Sequence, residues 1–153
     1  MMTLLTSLFL AFQLSTASPV DTLRPNGTPT LAEQNKALRA GRWQAAVRIA
    51  NTQRQHGPDV DLAAQYESNA CTALIAMDRH AAALARCDAA LAHRARSWRA
   101  HLNRGVALAG LGRYEAARAA YRTAVRYGAD PGVVAHNRAL LPPAMQLSDA
   151  GSR

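Results

Sequence analysis

The sequence predicts an all-α fold, an α-α superhelix of about three helical hairpins closed by a C-terminal capping helix. Aromatic residues make up only 5% of the chain while Ala, Leu and Arg abound. The core must therefore be built from small side chains at close spacing, which favours helices over strands. The chain also matches itself at an offset of 34 residues: Cys71 falls on Gly105, Leu74 on Leu108, Asp78 on Gly112, His80 on Tyr114, Ala83 on Ala117, Cys87 on Tyr121 and Ala90 on Ala124. A fixed period of this length marks a repeat architecture. Each period holds two apolar helical patterns around a short break, "YESNACTALIAM" then "AAALARCDAALAH", and "WRAHLNRGVALAGL" then "YEAARAAYRTAVRYG". Each is read as a helical hairpin. The length, 153 residues, suits a single domain of this kind.

The elements follow in chain order. In "MMTLLTSLFLAFQLSTASPVD" the apolar run from Leu4 to Leu14 is too short to span a bilayer as a mature helix, and small residues follow it. Ser15 and Ala17 satisfy a small-x-small rule, so residues 1–17 are expected to be a signal peptide cut after Ala17, although no Lys or Arg precedes the run. Export to the periplasm or beyond the cell is the expected localisation. Residues 18–30 carry three prolines and a glycine and read as a flexible leader. The repeat domain is expected over 31–141, in units of about 31–60, 64–97 and 98–131 with a cap over 132–141, before a tail over 142–153. The first unit, "EQNKALRAGRWQAAVRIANTQRQ", keeps Gly41, Trp43 and Ala46 at the turn and second-helix positions. Registering it on that turn requires a three-residue insertion around "QHGPDVD", read as a longer loop. In "PGVVAHNRALLPP" the helical pattern resumes once more, and Pro142 with Pro143 then stops it. A lone final helix suits a solenoid, whose end faces need covering.

The last unit, "NRGVALAGLGRYEAARAAYRTAV", carries Gly105, Gly112, Tyr114, Ala117, Tyr121 and Ala124 as a set of small and aromatic positions. In this pattern it resembles the tetratricopeptide repeat family. Gly105 and Ala117 would let two antiparallel helices approach closely, Gly112 would permit the tight turn, and the tyrosines would fill the gaps. The resemblance implies a small protein–protein interaction module, a scaffold or adaptor whose first helices line a concave groove for a peptide or helix of a partner. Carried over by position, the groove residues are Gln65, Ser68, Asn69, Thr72 and Ile75 in the middle unit, then Arg99, Leu102, Asn103, Val106 and Ala109, with Asn137 continuing the row. Asn69, Asn103 and Asn137 recur at a spacing of 34 and would stack their amides along that groove. Some family members clamp a peptide's terminal carboxylate with Lys, Asn and Arg; here Asn69, Arg99 and Asn103 match part of that pattern.

Sites of chemistry are not evident. His56, His80, His93, His101 and His136 form no HxxxH or HExxH pair, and none has a cysteine at a metal-ligand spacing. His80 is read as a packing residue at an aromatic position of its hairpin turn. No glycine-rich phosphate loop, GxSxG or paired carboxylate occurs. No catalytic residue, metal or cofactor is therefore expected, and the chain is not expected to be an enzyme.

The formal net charge is +8 and the pI about 10.7, with nine arginines between Arg86 and Arg126 against Asp88 and Glu115. Arg118, Arg122 and Arg126 follow an i, i+4, i+8 course on the second helix of the last hairpin. They are expected to form a basic, solvated convex face, with docking to acidic proteins or an anionic membrane surface as its functional alternative. Nucleic acid is not an expected partner, because stacking aromatics are lacking.

Cys71 and Cys87 are the only cysteines, eight residues before and eight after the turn near Arg79. On antiparallel helices rising about 1.5 Å per residue they stand at one level. A bridge across the hairpin and a pair of reduced core thiols both remain open, and export favours the bridge.

Overall fold

The structure, a computed structural model, describes residues 29–139 and 141–143. The expected signal peptide, most of the expected leader and nearly all of the expected tail fall outside these residues. Among the described residues the chain is all-helical, with seven helices: α1 (Leu31–Arg39), α2 (Trp43–His56), α3 (Val60–Ala76), α4 (His80–His93), α5 (Trp98–Gly110), α6 (Tyr114–Arg126) and α7 (Pro131–Ala139). None of them is long and apolar enough to cross a membrane.

Local chemistry starts and stops these helices. Thr30 opens α1 with a capping box, its hydroxyl accepting from the Glu33 N–H while the Glu33 carboxylate accepts from the Thr30 N–H. Asp59 caps α3, Ser97 caps α5, and the Asp130 carboxylate accepts from Val133 N–H in the first turn of α7, just after Pro131. Each hairpin turns through one residue in the left-handed region: Gly41 (φ 66°), Asp78 (φ 56°) and Gly112 (φ 70°). At all three the next N–H reaches five residues back, Arg42 to Ala37, Arg79 to Leu74 and Arg113 to Leu108, each at 2.9 Å. The bonds close the first helix of each hairpin with a Schellman pattern. Asp78 is tolerated where its neighbours use glycine because Asp visits this region more readily than most residues.

The connection before α3 departs from the expected long loop. Only 57–59 separate α2 from α3, and α3 begins at Val60, about one helical turn earlier than α5 does relative to its own hairpin turn. The three inserted residues extend a helix. Asp59 supplies the N-cap that makes this possible, while Gly57 in the left-handed region (φ 60°) ends α2.

Consecutive helices pack in sequence, and the first helices also touch one another, α1 with α3 and α3 with α5. The second helices are held further apart. The core is largely alanine, with Ala37, Ala46, Ala70, Ala73, Ala83, Ala107, Ala117 and Ala124 all fully buried. Small side chains let helix axes come close, so packing density is reached through backbone proximity.

One facing pair sets that proximity in each hairpin. In the third, a Cβ on Gly105 would overlap the ring of Tyr121, so the glycine is what admits the tyrosine. In the second, Cys71 and Cys87 occupy the equivalent places, fully buried, bonded to each other, with Cα atoms 5.4 Å apart. Of the two readings left open by the sequence, the structure adopts the bridge. In the first, the turn register places Gln34 opposite Ala50, both fully buried. The Gln34 amide nitrogen donates to Ala46 O at 3.0 Å and to Tyr66 O at 3.1 Å, tying three helices together. His80 behaves as the packing residue expected of its position: its ring lies where a Cβ on Gly110 would stand.

Purified, unreduced protein is expected to yield no titratable thiol after denaturation and two after reduction; replacing both cysteines by alanine should cost about 3 kcal/mol in a denaturant titration. Gly105→Ala should destabilise the fold by about 1–3 kcal/mol, and Tyr121→Leu in the same chain should recover part of that loss. Burial pushes the Tyr121 hydroxyl from 10.0 up to about 12. A folded pKa above the unfolded one stabilises the fold fully below pH 10 and loses that contribution as pH rises toward 12. Thermal midpoints followed between pH 9 and 12 should fall, and the fall should be smaller in Tyr121→Phe.

Candidate binding surfaces

The groove residues read from the sequence lie on α3, α5 and α7, and the structure brings several of them together. Gln65, Ser68 and Asn69 of α3 join Asn35 of α1, Arg99 of α5 and Arg94 and Ser97 of the preceding loop around a polar pocket of about 310 Å³. Thr72, Asn103 and Val106 continue the same row toward the hairpin turns, while Leu102 is buried in the core of the third hairpin. Asn137 stands apart from it, its amide nitrogen bonded to Val133 O within α7 at 2.9 Å.

The asparagine amides are engaged by the protein itself. Asn69 Nδ2 donates to Gln34 Oε1 at 3.0 Å and to Asn35 Oδ1 at 2.8 Å, which uses both of its N–H groups. Asn103 Nδ2 donates to Thr72 Oγ1 at 2.9 Å. Each bond joins one first helix to the one before it. The Asn137 amide donates instead within its own helix. Asn35 was missed at the sequence level although it too sits 34 residues before Asn69. Aligning the first unit on Gly41 had shifted Asn35 three residues out of that row.

Arg99 differs from its neighbours. Its guanidinium stacks on the Trp98 ring, 4.5 Å from the centroid, and among the described residues it has no carboxylate partner. Arg94, across the pocket, pairs with Asp61 at 2.7 Å. A cation held over an aromatic face at the edge of a polar pocket is well placed to meet an acidic or carbonyl group of a ligand.

The expected basic face is corrected by the structure. Arg122 and Arg126 are exposed, but Arg118 is only 6% exposed, with Nη1 donating to both oxygens of Glu115 at 3.2 and 2.9 Å. A strict i, i+4, i+8 course drifts about 40° around a helix every four residues, and here the drift carries its first member into the packed side. Other arginines of the charged stretch join elements: Arg104 pairs with Asp88 at 2.7 Å between α5 and α4, and Arg86 holds Glu67 at 2.9 Å between α4 and α3.

The Glu67 cluster was not visible in the sequence. Glu67 is 3% exposed, held on one side by Arg86 and on the other by Arg54 Nε at 3.5 Å, while Arg86 also donates to Asn51 Oδ1. A carboxylate so buried requires such partners. Gln65 and Glu67 are two residues, about 200°, apart on α3, so the groove and this cluster lie on opposite sides of that helix. No group of His, Cys, Asp and Glu among the described residues could hold a metal ion.

No protein-family model matches the chain. No curated protein matches it either.

Asn69→Ala strands the buried Gln34 oxygen and should lower stability by about 1–3 kcal/mol, whereas Asn103→Ala, with a single exposed bond, should cost less than about 1 kcal/mol. Parallel urea titrations of the two variants measure the difference.

Proposed function

We propose that the protein is a small exported protein–protein interaction module of the tetratricopeptide repeat type, which holds a segment of a partner in the groove lined by α1, α3 and α5. The observation that carries the reading is Arg99: a guanidinium set on Trp98, without a carboxylate partner among the described residues, at the rim of a polar pocket built from three successive first helices. Gln65, Ser68 and the free oxygen of Asn69 supply hydrogen-bonding groups that suit a peptide backbone, and Thr72 and Val106 extend the row. The asparagine bonds between first helices support the reading indirectly, because a groove whose wall is already ordered loses less entropy when it binds. The disulfide supports residence in an oxidising compartment, in keeping with secretion or a periplasmic location. No catalytic role is assigned to any residue.

A photo-crosslinking residue at Ser68, in disulfide-intact protein mixed with envelope extract, should trap a discrete partner. Arg99→Ala should reduce that adduct at least fivefold without altering the circular dichroism spectrum. An adduct of equal yield in Arg99→Ala, or equal labelling from a crosslinker at exposed Ala81 on α4, would remove the basis for the groove.

A further inference from the structure

On the other side of α3 from the groove, the separation of α2 from α4 leaves a cleft of about 590 Å³. Its floor is formed by Ala63, Tyr66 and Glu67 of α3, and one wall by Ala85, Ala89 and Ala92 of α4. The wall residues are spaced i, i+4, i+7 and so share a face of α4. Ala85 and Ala92 are exposed. The volume falls in the range of small-molecule sites, about 300–1,000 Å³, which combine an apolar lining with a few convergent polar groups.

The polar groups here have a definite sense of charge. Glu67 at the floor is neutralised by Arg86, which contacts both of its oxygens through Nη1 at 3.2 and 2.9 Å. Arg54 approaches the same carboxylate only through Nε, at 3.5 Å, with its side chain 63% exposed. Its two Nη atoms have no hydrogen-bond partner among the described residues. Two guanidinium groups against one carboxylate leave one positive charge at the mouth of an alanine-walled cleft, carried by the end of the arginine that is made for a bidentate carboxylate contact. A cationic ligand would meet that charge, and a wholly polar one would leave the alanine wall uncovered.

We infer that the cleft between α2 and α4 binds a single-chain aliphatic carboxylate, its hydrocarbon lying along Ala85, Ala89 and Ala92 and its carboxylate on the Nη atoms of Arg54. Glu67 acts as the positioning residue for Arg54. Its buried charge holds the guanidinium at the cleft mouth and leaves the terminal nitrogens to the ligand. The site is separate from the groove, so the two should be occupied independently.

Dodecanoate, below its micelle concentration, is the probe, titrated into disulfide-intact protein carrying ¹³C-methyl alanine, with dodecanol and dodecyltrimethylammonium as controls. Saturable binding at micromolar concentration is expected, with shifts confined to the methyls of the α4 wall and the floor, and at least tenfold weaker binding of both controls. Arg54→Gln should lose at least tenfold for dodecanoate while leaving dodecanol unchanged, and exposed Ala85→Leu should weaken both by filling the wall. Arg99→Ala should change neither. The inference is overturned by absence of saturable binding, by equal affinity for dodecanol, by shifts centred elsewhere, or by an Arg54→Gln variant that binds dodecanoate as the wild type does. Methyl spectra of the ligand-free variants, overlaid on the wild type away from the cleft, establish that they are folded.

Discussion

The distance between the two helices of a hairpin is the constraint on which this structure depends, and one facing pair in each hairpin sets it. Glycine against tyrosine, cysteine joined to cysteine, and glutamine against alanine are three ways of filling the same slot. The glycine–tyrosine pair fills it by volume, and the cysteine pair by a covalent bond between helices whose other buried residues are largely alanine. The glutamine fills it with hydrogen bonds to two carbonyl oxygens, one of them in the next hairpin. A core of alanines has little apolar area per residue to bury, so these slots carry more of the specificity than they would in a core rich in leucine and phenylalanine.

The slots also organise what lies outside them. Gln34, held in place by its two donated bonds, offers its oxygen to Asn69, and Asn69 in turn reaches Asn35. The stacking of first helices is therefore written in amide chemistry that begins in the core and ends at the groove. On the opposite side the one direct side-chain bond between α2 and α4 among the described residues is the Arg86 guanidinium donating to Asn51 Oδ1. Otherwise their link runs through Glu67 and its two arginines, whose long side chains leave space between the helices. Close approach on one side and separation on the other are two results of the same repeat packing.

The pattern of hairpins was legible because glycine at a left-handed turn, a small residue at a close approach and an aromatic opposite it have few substitutes. Gly112, Gly105 and Tyr121 could be read directly, and the facing positions of Cys71 and Cys87 followed from their equal distances to the turn, while the bond between them came from the structure. The insertion near 55–61 was legible as a length but not as a conformation. Whether three residues make a loop or a helical turn depended on Asp59 finding the Asp61 N–H and on α3 having a neighbour to pack against. The groove was half legible. Gln65, Asn69 and Arg99 line one pocket, while Asn35, which lines it too, was hidden by the choice of register and Arg118 was misplaced by treating a drifting row of arginines as one solvated face.

By itself, then, the sequence determined the helical hairpins, their turns and their period, because these rest on interactions between residues close in the chain or on steric demands that a single residue type satisfies. Tertiary structure alone decided which polar groups are spent and which remain available. Asn69 gives both donors to α1, Glu67 is buried between arginines from α2 and α4, and Arg99 keeps its charge over Trp98. Identical residue types, asparagine along one row and arginine along another, end in different states because hydrogen bonds and ion pairs form at about 3 Å. No spacing along the chain reports that distance between separate helices.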